Sequence, residues 1–259
     1  MIPELVSCYC ATYGRVHCLE ESLECFLRQD YGGPKELVIL NDYGEQELVF
    51  DHPEVRIINQ PRKCITLGDK FNTTVSHTRG DFLCCWEDDD IYLPGAISLA
   101  VHKATNGVFH TYDGFKENQP FNIVPSTDIY HATHGLTRKL FDKIGGYTAR
   151  DQCTIDVELM HKICNELKKV EEGYSVRLPV CERQYIYRWA TINSYHGSAY
   201  GIYDHVGCMA KAVIQAKRNN GEIPIGRISL RPRWKYDYKA YLPKTDVALV
   251  PFDIDYKSR

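Results

Sequence analysis

Four short apolar runs, Leu5–Ala11, Leu37–Leu40, Val55–Ile58 and Phe82–Trp86, alternate along the first part of the chain with stretches of helical periodicity. Runs this short and this rich in Val, Ile, Leu and Cys read as strands buried on both faces. Between them, Val16 to Asp30 sets Leu19, Leu23, Phe26 and Leu27 on one helical face. Leu67 to Thr78 reads as a second helix stopped by Gly80-Asp81, and Ala96 to Ala104 as a third. Alternation of this kind predicts an α/β chain with a mainly parallel, Rossmann-like sheet flanked by helices. Such sheets bind ligands beyond the carboxyl ends of their strands. The polar turns Thr12-Tyr13-Gly14-Arg15, Asn41-Asp42 and Glu87-Asp88-Asp89-Asp90 lie at those ends and are expected to converge.

The second half is less regular. Val108 to Tyr112, Ile129 to Ala132 and Val180 to Tyr187 read as strands, and Arg138 to Ile144 as a short helix closed by Gly145-Gly146. Ile155 to Leu167 is an amphipathic helix by its spacing, and Val206 to Ala216 fits a helix in a region otherwise hard to read. No repeat or low-complexity linker divides the 259 residues. A net charge of -3 names no partner. No charged start leads into an apolar segment, and no apolar run approaches the ~18 residues of a membrane span, so a soluble cytoplasmic protein is expected. The 11 cysteines are odd in number, and Cys8-x-Cys10 and Cys84-Cys85 do not have zinc-knuckle spacing. They read as reduced thiols acting as small hydrophobes.

Four consecutive acids, Glu87 to Asp90, follow directly on an apolar strand. Each carboxylate disfavours ionisation of the next unless a positive charge sits among them. A hard divalent cation, Mn2+ or Mg2+, is the expected counter-charge, because such ions take carboxylate oxygens together with water and phosphate. The plainer reading is a solvated acidic turn, which the strand before it and Ile91-Tyr92-Leu93-Pro94 after it disfavour.

Taken in order, CYCATYGR, LEESLECFLRQDYGGPKELVILND, LGDKFNTTVSHTRGDFLCCWEDDDIYLP, HGLTRKLFDKIGGY and TIDVEL resemble the inverting, nucleotide-sugar-dependent glycosyltransferases of the GT-A fold, family 2-like. The resemblance covers about the first 170 residues. It implies that Asp42 hydrogen-bonds the uracil ring of a UDP-sugar, and that Thr12, Tyr13 and Arg15 surround the nucleotide. It implies further that Lys70 and Asn72 lie near the nucleotide, where Lys70 would neutralise the diphosphate. The family's acidic metal motif falls on Glu87-Asp88-Asp89, with Glu87 departing from the usual Asp. Asp89 is then the leading metal ligand, Glu87 joins it, Asp88 reaches the ribose or sugar, and Asp90 is a second ligand or a partner of one. Asp156 matches the general base that takes the acceptor hydroxyl proton, although Ile155 stands where relatives often carry Glu. His196 matches a late ligand or diphosphate contact.

Each assignment has a plain structural counterpart. Asp42 also suits an Asx-turn, Arg15 a surface charge at a helix start, Lys70 a solvated helix face, and His196 a structural histidine. Asp156 suits a helix N-terminus, where the dipole favours an acid by only ~0.3–1 kcal/mol.

Residues 1–200 are expected to form the nucleotide-sugar-binding catalytic domain, and 201–259 a helical or irregular extension that binds acceptor or oligomerises. Residues Lys211 to Lys239 are basic and interleaved with Trp234, Tyr236 and Tyr238, a pattern open to an anionic acceptor, including nucleic acid, or to a plain solvated surface. The expected function is metal-dependent inverting transfer of a sugar to a hydroxyl acceptor, either a glycan or a lipid-linked or other compound. Two alternatives stand beside it: a nucleotidyltransferase on a similar sheet, and an inactive glycan- or nucleic-acid-binding module. The single glycine of ATYGR argues against the first.

Overall fold

The computed structural model describes residues 2–128, 131–149, 155–168, 175–188 and 219–243. Its central strand, β1 (Val6–Thr12), is buried along its whole length. Val6, Cys8 and Cys10 enter one core while Tyr9 and Ala11 enter the other, as a period of two requires. Helix α1 (Val16–Leu27) follows, then β2 (Lys35–Asn41), β3 (Gln46–Val49), β4 (Val55–Asn59), α2 (Leu67–Ser76) and β5 (Phe82–Cys85). Strands β4, β2, β1 and β5 pair in parallel, in that order. The fold is therefore the expected α/β arrangement, with the carboxyl ends of β1, β2 and β5 on one edge.

The sheet is completed by β10 (Gly135–Thr137), antiparallel to both β5 and β7 (Val108–Phe109). A second sheet runs β6 (Ile91–Tyr92), β11 (Tyr185–Tyr187), β8 (Asp113–Gln119), β9 (Asn122–Thr127). On one face of the main sheet, α1, α3 (Ala96–Lys103) and the second sheet bury Leu19, Leu23, Phe26, Ile97, Phe115 and Ile186. On the other, α2, α4 (Arg138–Lys143) and α5 (Ile155–Leu167) bury Phe71, Val75, Leu140, Leu159 and Ile163. A fully buried side chain of this size contributes ~1.5–3 kcal/mol relative to exposure.

Several expected boundaries move. The helix expected to run from Val16 to Asp30 ends at Leu27, and the strand expected over Val108 to Tyr112 is only Val108–Phe109. Ile129 to Ala132 is not a strand where described: His131–Thr133 form a 3-10 turn, anchored by Thr133 Oγ1 donating to the Thr111 carbonyl. Val180–Glu182 likewise form a 3-10 turn, and only Tyr185–Tyr187 of the expected strand is extended. The Arg183 side chain interrupts it by donating to the carbonyls of Leu178 and Gly114. No apolar run marks the hairpin β8–β9, since Asp113, Lys116 and Glu117 are buried in it while Val124 is exposed.

The expected helix Val206 to Ala216 and His196 lie outside the described residues. The extension nevertheless has described parts: β12 (Gly226–Ser229) pairs in parallel with β3, and Leu230 and Tyr238 join the core beside α1. Among the described residues the cysteines are unbridged thiols, and no helix is long and apolar enough to cross a membrane.

Candidate active site

Gly14, at φ +69°, turns the chain from β1 into α1, and Arg15 follows it at the helix start. Across the edge, Trp86 stacks on Tyr92 at 3.8 Å, and the Tyr92 hydroxyl accepts the Glu87 N–H at 2.7 Å. These contacts fold the acid turn back toward Arg15. Arg15 Nε donates to Asp88 Oδ2 at 3.1 Å and Nη1 to Asp89 Oδ2 at 2.7 Å, while Nη2 lies 2.5 Å from Asp88 Oδ1. The positive charge among the carboxylates is thus an arginine of the chain itself. Burial works against the guanidinium charge, but Asp88 and Asp89 outweigh it and raise the Arg15 pKa. Burial, opposed by Arg15 and reinforced by Asp89, lifts Asp88 to about 6.

Carboxylate oxygens of Glu87, Asp88 and Asp89 lie within 4.8 Å of one another. This all-oxygen set fits a hard divalent cation, with Glu87, Asp88 and Asp89 as its holders. Asp90 is not part of the group. Its Oδ2 accepts the Tyr185 hydroxyl at 2.5 Å and its Oδ1 the Arg188 N–H at 2.9 Å. Burial first, and then the Asp89 charge, push the Asp90 carboxyl well above the usual range. The reading of Asp90 as a ligand therefore gives way to that of an anchor for the turn. Arg188 completes the anchor by donating to the Asp89 carbonyl and, at 2.6 Å, to Glu21 Oε2.

Asp42, at the end of β2, is covered. Lys70 Nζ donates to its Oδ1 at 2.6 Å and to the Thr12 carbonyl at 2.7 Å, and the Cys64 N–H donates to its Oδ2 at 2.9 Å. Lys70 is 2% exposed, which removes the solvated-lysine reading and directs its charge to Asp42. Tyr13 packs edge-on against Tyr43 at 4.9 Å, with Lys63 Nζ 5.4 Å from its ring. Asn72 faces elsewhere: its amide clasps the Tyr147 backbone through bonds of 2.9 Å to both N–H and C=O. The clasp is close because Gly146, at φ +58°, brings the backbone where a Cβ would lie 2.6 Å from Asn72 Oδ1. Asn72 thus sets the loop before α5.

That loop supplies Tyr147, and α5 supplies Asp156 in its first turn. His131 Nδ1 lies 2.5 Å from Glu87 Oε1, and its Nε2 lies 2.7 Å from the Tyr147 hydroxyl, which itself meets the Tyr9 hydroxyl at 2.7 Å. Burial disfavours the imidazolium, but the Glu87 contact and the Asp156 charge prevail, so the His131 pKa is raised. Burial also raises Asp156, partly offset by His131. Glu87, His131 and Asp156 therefore share one electrostatic neighbourhood. His131 was not singled out in the sequence, since no metal-type histidine spacing marks it.

Residues 7–151 match Glycosyl transferase family 2, and the chain belongs to that family. The match ends before Asp156. The uncharacterized glycosyltransferase YwdF of Bacillus subtilis (strain 168) is 27% identical over 148 residues, 56% of this chain and 50% of the relative. Among solved structures, S. aureus TarS 1–349 in complex with UDP-GlcNAc aligns with a TM-score of 0.55 at 12% identity, over 84% of this chain and 67% of that one. The mannosyltransferase PcManGT from Pyrobaculum calidifontis, in complex with GDP-Man and Mn2+, aligns at 0.52 with 16% identity, over 72% and 57%. At such identities the likeness concerns the fold, which is GT-A. The chain spans about half the length of the curated relative it matches.

Proposed function

We propose that this chain transfers a sugar from a nucleoside diphosphate donor, UDP-linked, to a hydroxyl acceptor with inversion. The observation that carries the reading is that Glu87, one of the Glu87–Asp88–Asp89 oxygen group, contacts His131, whose positive charge is also favoured by Asp156. Complexes of the fold neighbours with UDP-GlcNAc, and with GDP-Man and Mn2+, support the donor class and a divalent cation. Glu87, Asp88 and Asp89 would hold the cation, which supplies charge stabilisation to a departing diphosphate.

Asp156 takes the acceptor proton. A carboxylate raised by burial is a better base near neutrality than a solvated one. Arg15, once exchanged from Asp88 and Asp89, remains beside the donor as a cation able to meet phosphate oxygens in a planar fork. Asp42 offers carboxylate oxygens to a ring N–H, but only if the segment 60–66 lifts and gives up the Cys64 contact. The described part of the basic stretch does not favour nucleic acid. Arg227 pairs with Glu47 and Lys235 with Glu21, so both charges face acids of the same chain.

Calorimetric titration of UDP, GDP and their sugars, with Mn2+ and with EDTA, tests donor and metal together. Metal-dependent binding of a uridine nucleotide is the expected result, and binding of none of them under either condition would sink the proposal. Asp156→Asn is expected to lower turnover by roughly 10²–10⁴-fold with donor affinity nearly unchanged, and full turnover in that variant would remove Asp156 as the base.

A further inference from the structure

Glu21, in the middle of α1, is buried, and both of its carboxylate oxygens are fully engaged. Its Oε1 accepts the Tyr238 hydroxyl at 2.7 Å and the Lys235 N–H at 3.0 Å. Its Oε2 accepts Arg188 Nη1 at 2.6 Å and lies 2.8 Å from Lys235 Nζ. A carboxylate offers about four such sites, so this one has neither spare capacity nor freedom to turn. Tyr238 and Lys235 on one side and Arg188, just after β11, on the other therefore bear on a single fixed group.

Arg188 carries that constraint to the acid turn. Its Nε donates to the Asp89 carbonyl and its backbone N–H to Asp90 Oδ1 at 2.9 Å, while the Tyr185 hydroxyl holds Asp90 Oδ2. A grip on the carbonyl fixes the planar peptide between Asp89 and Asp90, and with it the direction in which Asp89 presents its side chain. This hold differs in kind from that of Arg15. Arg15 grips the carboxylates themselves and must give them up to a cation, whereas Arg188 grips backbone and can stay. Once Arg15 is exchanged, like charges on adjacent residues spread apart unless the backbone beneath them is fixed.

We infer that Tyr238 is a positioning residue for the cation-holding turn: through Glu21 and Arg188 it keeps the carboxylates of that turn arranged for a divalent cation. The inference rests on the reading of Glu87, Asp88 and Asp89 as the holders of that cation. Partners that hold metal ligands in place are commonly worth roughly 10–100-fold in metal affinity. Here the partner of the ligands is an arginine, and the arginine is itself held by a carboxylate that a distant tyrosine caps. A residue that gives no ligand thus sets how well the ligands are arranged.

The test is Mn2+ binding to the full chain without donor, read from the paramagnetic resonance of the free ion. Tyr238→Phe, which deletes only the hydroxyl, is expected to weaken Mn2+ binding about threefold. Arg188→Lys keeps the charge but cannot span Glu21 and the Asp89 carbonyl, and a loss of about tenfold is expected. Tyr238→Phe placed on top of Arg188→Lys should add nothing, because its effect passes through the guanidinium. Leu230→Ala, in the core beside α1 but outside this chain of bonds, loosens packing and should keep the parent affinity. Unchanged affinity in Tyr238→Phe, the same loss on the Arg188→Lys background, or an equal loss in Leu230→Ala would overturn the inference. If Arg188→Lys fails to fold, as judged by circular dichroism, the contrast between Tyr238→Phe and Leu230→Ala decides. A parent that binds no Mn2+ removes the cation reading and the inference with it, whereas a parent that binds it no better than Tyr238→Phe removes the inference alone.

Discussion

Arg15 sits between Asp88 and Asp89 as an internal counter-ion, and any cation binding there competes with it. Arg15→Ala is therefore expected to tighten Mn2+ binding to the donor-free protein by about tenfold, the equivalent of ~1.4 kcal/mol. Paramagnetic resonance of free Mn2+ measures this, and an unchanged or weakened affinity would remove Arg15 from the competition. Lys70 leads to a different expectation, because its partner is the buried Asp42. Lys70→Met strands that carboxylate and should cost ~3–5 kcal/mol of stability in denaturant unfolding. A lysine that served only the diphosphate would lose donor affinity with stability intact. The sequence marked Arg15, Asp42, Lys70 and the acids as residues of interest, since type and strand-end position are readable from one chain. It did not reveal that Arg15 meets the acids or that Lys70 meets Asp42, because their separations of 73 and 28 residues leave no local pattern.

Helix α1 was legible from its spacing, yet half of what holds it was not. Glu21 is buried and receives Arg188 Nη1 at 2.6 Å, Lys235 Nζ at 2.8 Å and the Tyr238 hydroxyl at 2.7 Å. Arg28 lies 4.3 Å over the Trp234 ring, and the indole N–H points to Cys25 Sγ. The basic, aromatic stretch that read as an open surface is, over its described residues, a strap along α1 and β3. Glu21→Gln leaves Arg188 buried with its charge uncompensated, and about 3 kcal/mol of destabilisation is expected by chemical denaturation. Burial acts to raise Glu21, but Arg188, Lys235 and Tyr238 lower it below 4.5. Its stabilising effect is therefore complete above pH 4.5 and is lost as pH falls through the lowered folded value. The central strands were legible because each is a continuous apolar run, whereas β8, β9 and β12 depend on pairing that only the folded chain supplies.

For the molecule as a whole, His110 sets an acid limit to stability. It is fully buried against Tyr112 and His134, with Nδ1 2.8 Å from the Ser175 hydroxyl, and burial pushes it down to about 4. The unfolded chain takes up a proton near 6.5 that the folded one refuses. The stability contributed is whole above pH 6.5 and declines as pH falls toward 4. Unfolding midpoints at pH 7 and pH 5 should differ less in His110→Gln than in the parent, and an equal difference would assign the acid limit to other groups. The strap has a further consequence, in time rather than in energy. Tyr238 lies 217 residues after the Glu21 it caps, and Arg231 lies 211 after Glu20. At ~5–20 residues per second of synthesis, α1 emerges from the ribosome roughly ten to forty seconds before its partners exist. Through that interval the newborn helix keeps an acidic, half-dressed flank, and whatever shelters it then is as much a requirement of this fold as any contact in the finished protein.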